Sequence, residues 1–229
     1  TYKDIEAKAE MIGYPLIIKP ANLGSSIGIE IVHKKDELKS ALSECAKYDD
    51  KLVIEKMVKQ LKEVNISVMG NSKDAKVSAI EEVMKGDEFL SFSNKYLGGG
   101  KGTKGSKPTK VAPTKGSKGM ASASRIVPAR LDGNQQKEIE EYALKSFKAL
   151  NASGAVRIDF MIDKEDGSVY VNEINSIPGS LAFYLWKEVG VDFREECDLL
   201  INNALNVYRE KKKKVRSFDT NILSNYKEN

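Results

Sequence analysis

Apolar residues along the chain follow two periods, and the switches between them outline its elements. Ile5, Ala9 and Ile12 recur at helical spacing until Gly13 interrupts them, so a helix is expected at once. Residues 14–20 (YPLIIKP) form a short apolar run that predicts a buried strand. Residues 29–32 (IEIV) predict its partner, with 21–28 (ANLGSSIG) as the connecting loop. Asp36 is placed to cap a helix whose apolar side is Leu38, Ala41, Leu42, Cys45 and Tyr48. Segments 52–57 (LVIEKM), 64–69 (VNISVM) and 75–83 predict strands. A further helix carries Ile139, Tyr142, Ala143, Phe147 and Leu150 on one side. AVRIDFMID and SVYVNEIN then alternate as the arms of a hairpin through Lys164-Glu165-Asp166-Gly167. The last helix, about 192–211, shows Phe193, Cys197, Leu200, Ala204, Leu205 and Tyr208. The lysines of 211–214 suit its negative end in solvent.

One stretch does not fit this scheme. Residues 98–120 hold seven glycines, six lysines and no aromatic residue, and repeat TKGSK at 103–107 and 114–118. That composition predicts a long flexible loop rather than a packed element. It also changes the meaning of the net charge of +4. Between Glu88 and Asp132 the chain carries nine basic residues and no acidic one, so the remainder is net acidic. With 229 residues and 41% hydrophobic content, one domain or two small ones with a sizeable core are expected. No apolar run reaches the ~20 residues that span a bilayer, and the first residues lack a signal-peptide core. Two cysteines 152 positions apart make neither a disulfide framework nor a zinc site, so a reducing cytosol is the expected compartment. The single His33 rules out Ser-His-Asp and Cys-His constellations built on any other imidazole, and it has no such partners nearby.

The chemistry-bearing residues concentrate in the hairpin. Alternation puts Arg157 and Asp159 on one face of its first strand, and Glu173 and Asn175 on one face of its second. A three-residue loop, Glu165-Asp166-Gly167, would pair Lys164 with Ser168, set Asp159 opposite Glu173 and set Arg157 opposite Asn175. A two- or four-residue loop would put them out of step. In register, they form an all-oxygen set for a hard cation such as Mg²⁺ beside a fixed guanidinium fork. The same residues would also serve as a surface ion-pair ladder. Lys19 and the GSSIG of 24–28 offer a point charge, hydroxyls and backbone N–H groups to a phosphate, or simply a hairpin loop. Glu55-Lys56-Met57-Val58 and Glu63 lie where a strand end would meet a purine and its ribose, or solvent.

Taken in order, IIKPANLGSSIGI, LVIEKMV, KEVNISV, NKYLGG, RIVPARL, GAVRIDFMID and VNEINSIPG resemble the ATP-grasp superfamily, and within it the D-alanine–D-alanine ligases. The likeness runs from about Glu10 to Tyr208. It implies an α+β fold of two subdomains with mainly antiparallel sheets that grip a nucleotide between them. The expected division is a small lid subdomain at 1–60, a large subdomain at 61–214 with the 98–120 insertion, and a tail at 215–229. It implies ATP as substrate, with Lys19, Gly24, Ser25 and Ser26 at the phosphates. Glu55, Lys56 and Val58 would border the adenine, and Glu63 would hold the ribose. Asp159, Glu173 and Asn175 match ligands of two Mg²⁺ ions (Mn²⁺ being an alternative), with Glu173 bridging. Arg157 and the Gly179 N–H would stabilise the developing oxyanion, and Lys95 and Tyr96 match an active-site loop. The reaction implied is an acyl phosphate made from one amino acid, then displacement by the amine of another, in peptidoglycan precursor synthesis in the cytoplasm.

Three departures matter. The family's N-terminal domain, with another ATP-binding lysine, has no counterpart, so the chain is read as part of a longer ligase, a homodimer when full length. The segment after Gly179 is about four residues short and lacks the family's acceptor-binding serine, for which Ser180 is a substitute. The acceptor could therefore be D-alanine, D-serine, D-lactate or another amino acid. The basic loop is the third departure, either a solvated insertion or a lid that attracts ATP. The rival of another class, a nucleic-acid or anionic-surface module, lacks the interleaved aromatics that stacking needs.

Overall fold

A computed structural model describes residues 1–24, 26–84 and 124–215. Ser25, Lys95, Tyr96, the 98–120 segment and the tail beyond 215 lie outside the described residues. The chain divides into two compact units, one holding Thr1–Leu61, the other Lys62–Val83 and the residues from Arg125 onward.

The first unit opens with α1 (Tyr2–Ile12), which ends at Gly13 in a positive-φ conformation (φ 85°) that glycine alone adopts freely. β1 (Leu16–Pro20) is the centre of an antiparallel sheet of order β2-β1-β3, where β2 is Glu30–Val32 and β3 is Leu52–Lys56. α2 (Lys35–Cys45) covers it. Leu16, Ile18, Val32, Leu38, Ala41, Cys45 and Ala9 close the core between sheet and helices. Asp36 is not the cap of α2: Lys34 takes that position, Asp36 sits within the first turn, and the Glu37 carboxylate accepts from the His33 N–H at 2.9 Å. The helix thus starts earlier than expected: Lys34 gives no side-chain cap, the Glu37 N–H donates to the Lys34 carbonyl at 3.1 Å, and the first-turn acid reaches back to the chain ahead of the helix. Tyr48, expected on the buried side, lies beyond the helix and is half exposed.

The second unit is a five-stranded sheet of order β6-β5-β4-β7-β8. Its strands are β4 (Leu61–Gly70), β5 (Ala75–Met84), β6 (Ser124–Ile126), β7 (Gly154–Asp163) and β8 (Val169–Asn175). Both β4–β5 and β7–β8 are antiparallel, as an α+β fold requires. α3 (Gly133–Ala149) is capped by Asp132, whose carboxylate accepts from the N–H groups of Asn134 and Gln135. Its buried stripe, Ile139, Ala143 and Phe147, packs on Val64, Ile66 and Val68 of β4 and on Val156, Ile158, Phe160 and Ile162 of β7. Leu150, read as part of that stripe, follows the helix and is 61% exposed. After β8 come a 3₁₀ turn (Gly179–Ala182), α4 (Phe183–Lys187) and α5 (Phe193–Lys212).

α5 corrects the apolar reading of the last helix. Phe193, Leu205 and Tyr208 are exposed, as is Ile201, and the residue buried completely is Glu196. The helix turns a mixed stripe of Glu196, Leu200, Asn203 and Val207 inward, and Asn203 donates to the Gly70 carbonyl at 2.9 Å. Among the described residues no helix is long and apolar enough to cross a membrane.

Candidate active site

The two faces of the five-stranded sheet differ in chemistry. Side chains of successive strand residues point to opposite faces, so the even positions of β4 and of β7 at its start meet α3. Asn65, Ser67, Arg157 and Asp159 project from the other face. Asn65 pairs in register with Glu81 of β5 and donates to its carboxylate at 3.0 Å. On the far side, Arg157 stands opposite Asn175 and Asp159 opposite Glu173.

That alignment is reached by a different route from the one the sequence suggested. The hairpin closes on Asp163 and Ser168, joined by Asp163 N–H to Ser168 carbonyl at 3.0 Å, so the loop has four residues. Gly167 takes its left-handed position (φ 78°). The register then shifts between Asp159 and Phe160, where Phe160 faces Val171 and Asn172 is the extra residue on β8. A β-bulge of one residue compensates the longer loop and returns the acidic pair to step.

Arg157 is 8% exposed and forks onto Asp159, Nε to Oδ1 at 2.7 Å and a terminal nitrogen to Oδ2 at 2.8 Å. The hydrogen bonds to Asp159 raise the guanidinium's pKa above its ordinary value. Asn175 adds a bond to Asp159 Oδ2 at 3.2 Å. Glu173 lies exposed at the next register position. Among the described residues no three His, Cys, Asp or Glu side chains gather as a metal cluster. The donor set is two carboxylates and an amide, hard oxygen ligands that suit Mg²⁺. Each carboxylate has about four lone-pair sites, so Asp159 keeps acceptor capacity beyond its present bonds.

Three further residues complete this face, and sequence reading missed them as a group. Glu81 is 1% exposed and accepts from the Tyr184 hydroxyl at 2.8 Å. Arg125 of β6 approaches Glu81 at 3.4 Å and lies over the Tyr184 ring, 4.6 Å from its centroid. Burial, then the bond to Glu81, pushes the Tyr184 phenol up to about 12, so it remains a donor at neutral pH. Trp186 of the same short helix donates to the Ser67 hydroxyl at 3.0 Å and closes that end of the face. The available signal was Glu81 within the apolar run AIEEV, because a carboxylate in such a strand needs partners.

In the first unit, Lys19 of β1 and Glu55 of β3 form an ion pair at 2.5 Å across the sheet. Lys56 is exposed, while Val58 and Glu63 are partly buried. The loop after Lys19 is pinned at both stems. Asn22 bonds through N–H and side-chain amide to the Asp49 carboxylate, at 2.7 and 3.1 Å. The buried Cys45 thiol, pushed up to about 11 chiefly by burial, donates to the Gly28 carbonyl at 3.0 Å. A Cβ on Gly28 would come within 2.7 Å of the Tyr48 ring, so only glycine fits there. Between the stems the Ile27 N–H donates to the Gly24 carbonyl, and Ser26 is left-handed (φ 59°).

Comparison with known proteins defines the class. Residues 2–202 match the family model described as D-ala D-ala ligase C-terminus, so the chain belongs to that family. It is 38% identical over 214 residues to the D-alanine–D-alanine ligase of Thermosipho africanus, covering 93% of this chain and 52% of that protein. Among solved structures, the VanG D-Ala:D-Ser ligase of Enterococcus faecalis superposes with a TM-score of 0.65 at 28% identity, over 88% of this chain and 52% of that one. The Bacillus anthracis D-alanine–D-alanine ligase complexed with ATP gives 0.62 at 26% identity, over 88% and 56%. The fold is thus the ATP-grasp fold of these ligases, and the chain spans about half the length of the relatives it matches.

Proposed function

We propose that the intact gene product is an ATP-dependent carboxylate–amine ligase that joins D-alanine to a second amino acid, D-alanine first, in peptidoglycan precursor synthesis in the cytoplasm. One observation carries this reading: Asp159 faces Glu173 and Arg157 faces Asn175, in a chain of this family. The carboxylate of the first amino acid attacks the γ-phosphorus of ATP, ADP departs, and an acyl phosphate results. The amine of the second amino acid then attacks the acyl carbon, and phosphate leaves. Lys19, Gly24 and Ser26 receive the phosphates on a loop whose stems are fixed by Asp49 and Cys45. Ser25, outside the described residues, joins them, and Lys95 and Tyr96, likewise outside, belong to the active-site loop. Glu55, Lys56 and Val58 border the adenine, and Glu63 takes the ribose. Asp159, Glu173 and Asn175 would hold Mg²⁺, which when bound offsets charge on the transferring phosphoryl group.

Arg157 supplies fixed positive charge where the acyl phosphate and the tetrahedral oxyanion build up negative charge, together with the Gly179 N–H. Its fork is already set by Asp159, so little reorganisation is needed at the moment of reaction. The test is ADP and phosphate release by the intact gene product with ATP, Mg²⁺ and a panel of amino-acid pairs. D-alanine alone is expected to support release, and R157A to lower turnover by about 10²–10³. Release with D-serine, D-lactate or another acceptor, and none with D-alanine alone, would reassign the product.

A further inference from the structure

We propose that Glu81 and Ser67 are positioning residues for the Gly179 N–H: they anchor Tyr184 and Trp186, and so hold the strained turn before them against the strand that carries Arg157. This deepens the ligase reading above and rests on it. Ser180, Leu181 and Ala182 are left-handed in succession, with φ of 51°, 57° and 60°. L-residues avoid that conformation, and a run of it persists only where surrounding contacts impose it. Inside the turn the Leu181 N–H donates to the Pro178 carbonyl at 3.0 Å. That local bond closes the turn but does not set where it lies on the sheet. The contacts that set it come from the residues that follow.

α4 continues directly from the turn, and Ala182, Leu185 and Trp186 are fully buried. Apolar packing of this kind is non-directional. Two hydrogen bonds to buried side chains add direction. The Tyr184 hydroxyl donates to Glu81 Oε1 at 2.8 Å, and the Asn65 amide donates to the same oxygen at 3.0 Å. The Trp186 indole N–H donates to Ser67 Oγ at 3.0 Å, and that hydroxyl donates in turn to the Val156 carbonyl at 3.0 Å. Val156 immediately precedes Arg157. One anchor therefore ends on β5, and the other on β7 beside the guanidinium that meets the developing oxyanion. Glu81 and Ser67 are both buried, so removing either leaves a buried donor unpaired. An oxyanion donor works only where it is aimed, and a misplacement of about 1 Å can cost about 10²-fold in rate. The polar anchors thus convert a buried turn into an aimed one.

The test uses the intact gene product with ATP, Mg²⁺ and its best amino-acid pair from the panel above, and reads kcat and KM separately. Y184F removes one anchor and keeps the ring. It should lower kcat about 10- to 100-fold with the KM for ATP unchanged. E81A should do the same, and E81Q should lose less, because its amide oxygen still accepts from Tyr184. The discriminating variant is A182G added to Y184F. Glycine takes the left-handed conformation freely, so the turn depends less on its anchors and kcat should recover about 5-fold over Y184F. A merely structural role predicts no rescue, because A182G only removes a buried methyl group. S67A applies the same two readouts at the other anchor, and decides the matter if Y184F does not fold. Y184F at wild-type kcat overturns the inference. So does a loss that A182G fails to relieve, or one matched by a rise in the KM for ATP. In each of these cases a wild-type protein that releases ADP leaves the ligase reading standing. If it releases no ADP with any pair, both fall.

Discussion

Glu196 shows how a single residue can run against its surroundings. It is fully buried on α5, and neither carboxylate oxygen finds a donor among the described residues. Burial pushes its pKa up to about 7 from 4.5. In the unfolded chain the group ionises near its ordinary value, so between those pH values the folded state binds more protons than the unfolded one. Stability must therefore fall as pH rises from about 4.5 to about 7 and then level off. The loss comes to about 1–3 kcal/mol after allowance for solvent screening. E196Q keeps the shape without the charge. Urea unfolding at pH 5 and pH 8 should show a smaller difference for E196Q than for wild type, with E196Q the more stable at pH 8. Equal pH dependence would mean that Glu196 finds a cation. No pattern in the sequence marks this residue, because a helical glutamate beside Glu195 has the composition of a solvated face. Arg125, Glu81 and Tyr184 were hidden for another reason: they come from separate segments and meet only through the sheet order.

Elements were easier to read than residues wherever periodicity and burial agree. Ile139, Ala143 and Phe147 recur at helical spacing, and the helix buries all three. Its cap was not singled out, yet Asp132 accepts from two N–H groups at 2.9 and 2.8 Å. D132A should lower stability by about 1 kcal/mol, read as a lower urea midpoint at unchanged slope. D132N should lose less, because its amide oxygen still accepts. The hairpin marks the limit of such reading. Alternation within each arm placed Arg157, Asp159, Glu173 and Asn175 on matching faces, but their register depended on a loop length and a bulge. A four-residue loop alone would have separated the pairs, and a bulge at Asn172 leaves no mark in an alternating sequence. α5 failed for a related reason. Its apolar positions are real, but helical spacing says which residues share a face and not which face is covered.

Over the whole molecule, charge is segregated. The stretch between Glu88 and Asp132 is basic without exception, and the remainder, which holds Asp159 and Glu173, is net acidic. Such a molecule has two classes of anionic partner to choose from, a small polyphosphate or a polymer. A polymer needs only the lysines, and its binding weakens steeply with salt. A nucleotide bound as proposed needs the acidic set as well, because Asp159 and Glu173 repel phosphate unless a divalent cation lies between them. The two therefore differ in their dependence on Mg²⁺ and in their response to mutation. In the intact gene product, MgATP at about 100 times its Kd should stabilise the fold by roughly 2.7 kcal/mol, a rise in Tm of about 3–6 °C for a chain about twice this length. ATP with EDTA should give much less. E173Q should remove most of the Mg²⁺-dependent part while leaving the lysines intact. Single-stranded DNA at 150 mM salt should leave Tm unchanged, since the basic stretch from 98 to 120 has no aromatic residue for bases to stack on. Micromolar, salt-sensitive DNA binding together with an indifferent response to MgATP would reverse the assignment. It would make the basic stretch the functional site and the carboxylate pair a surface ladder.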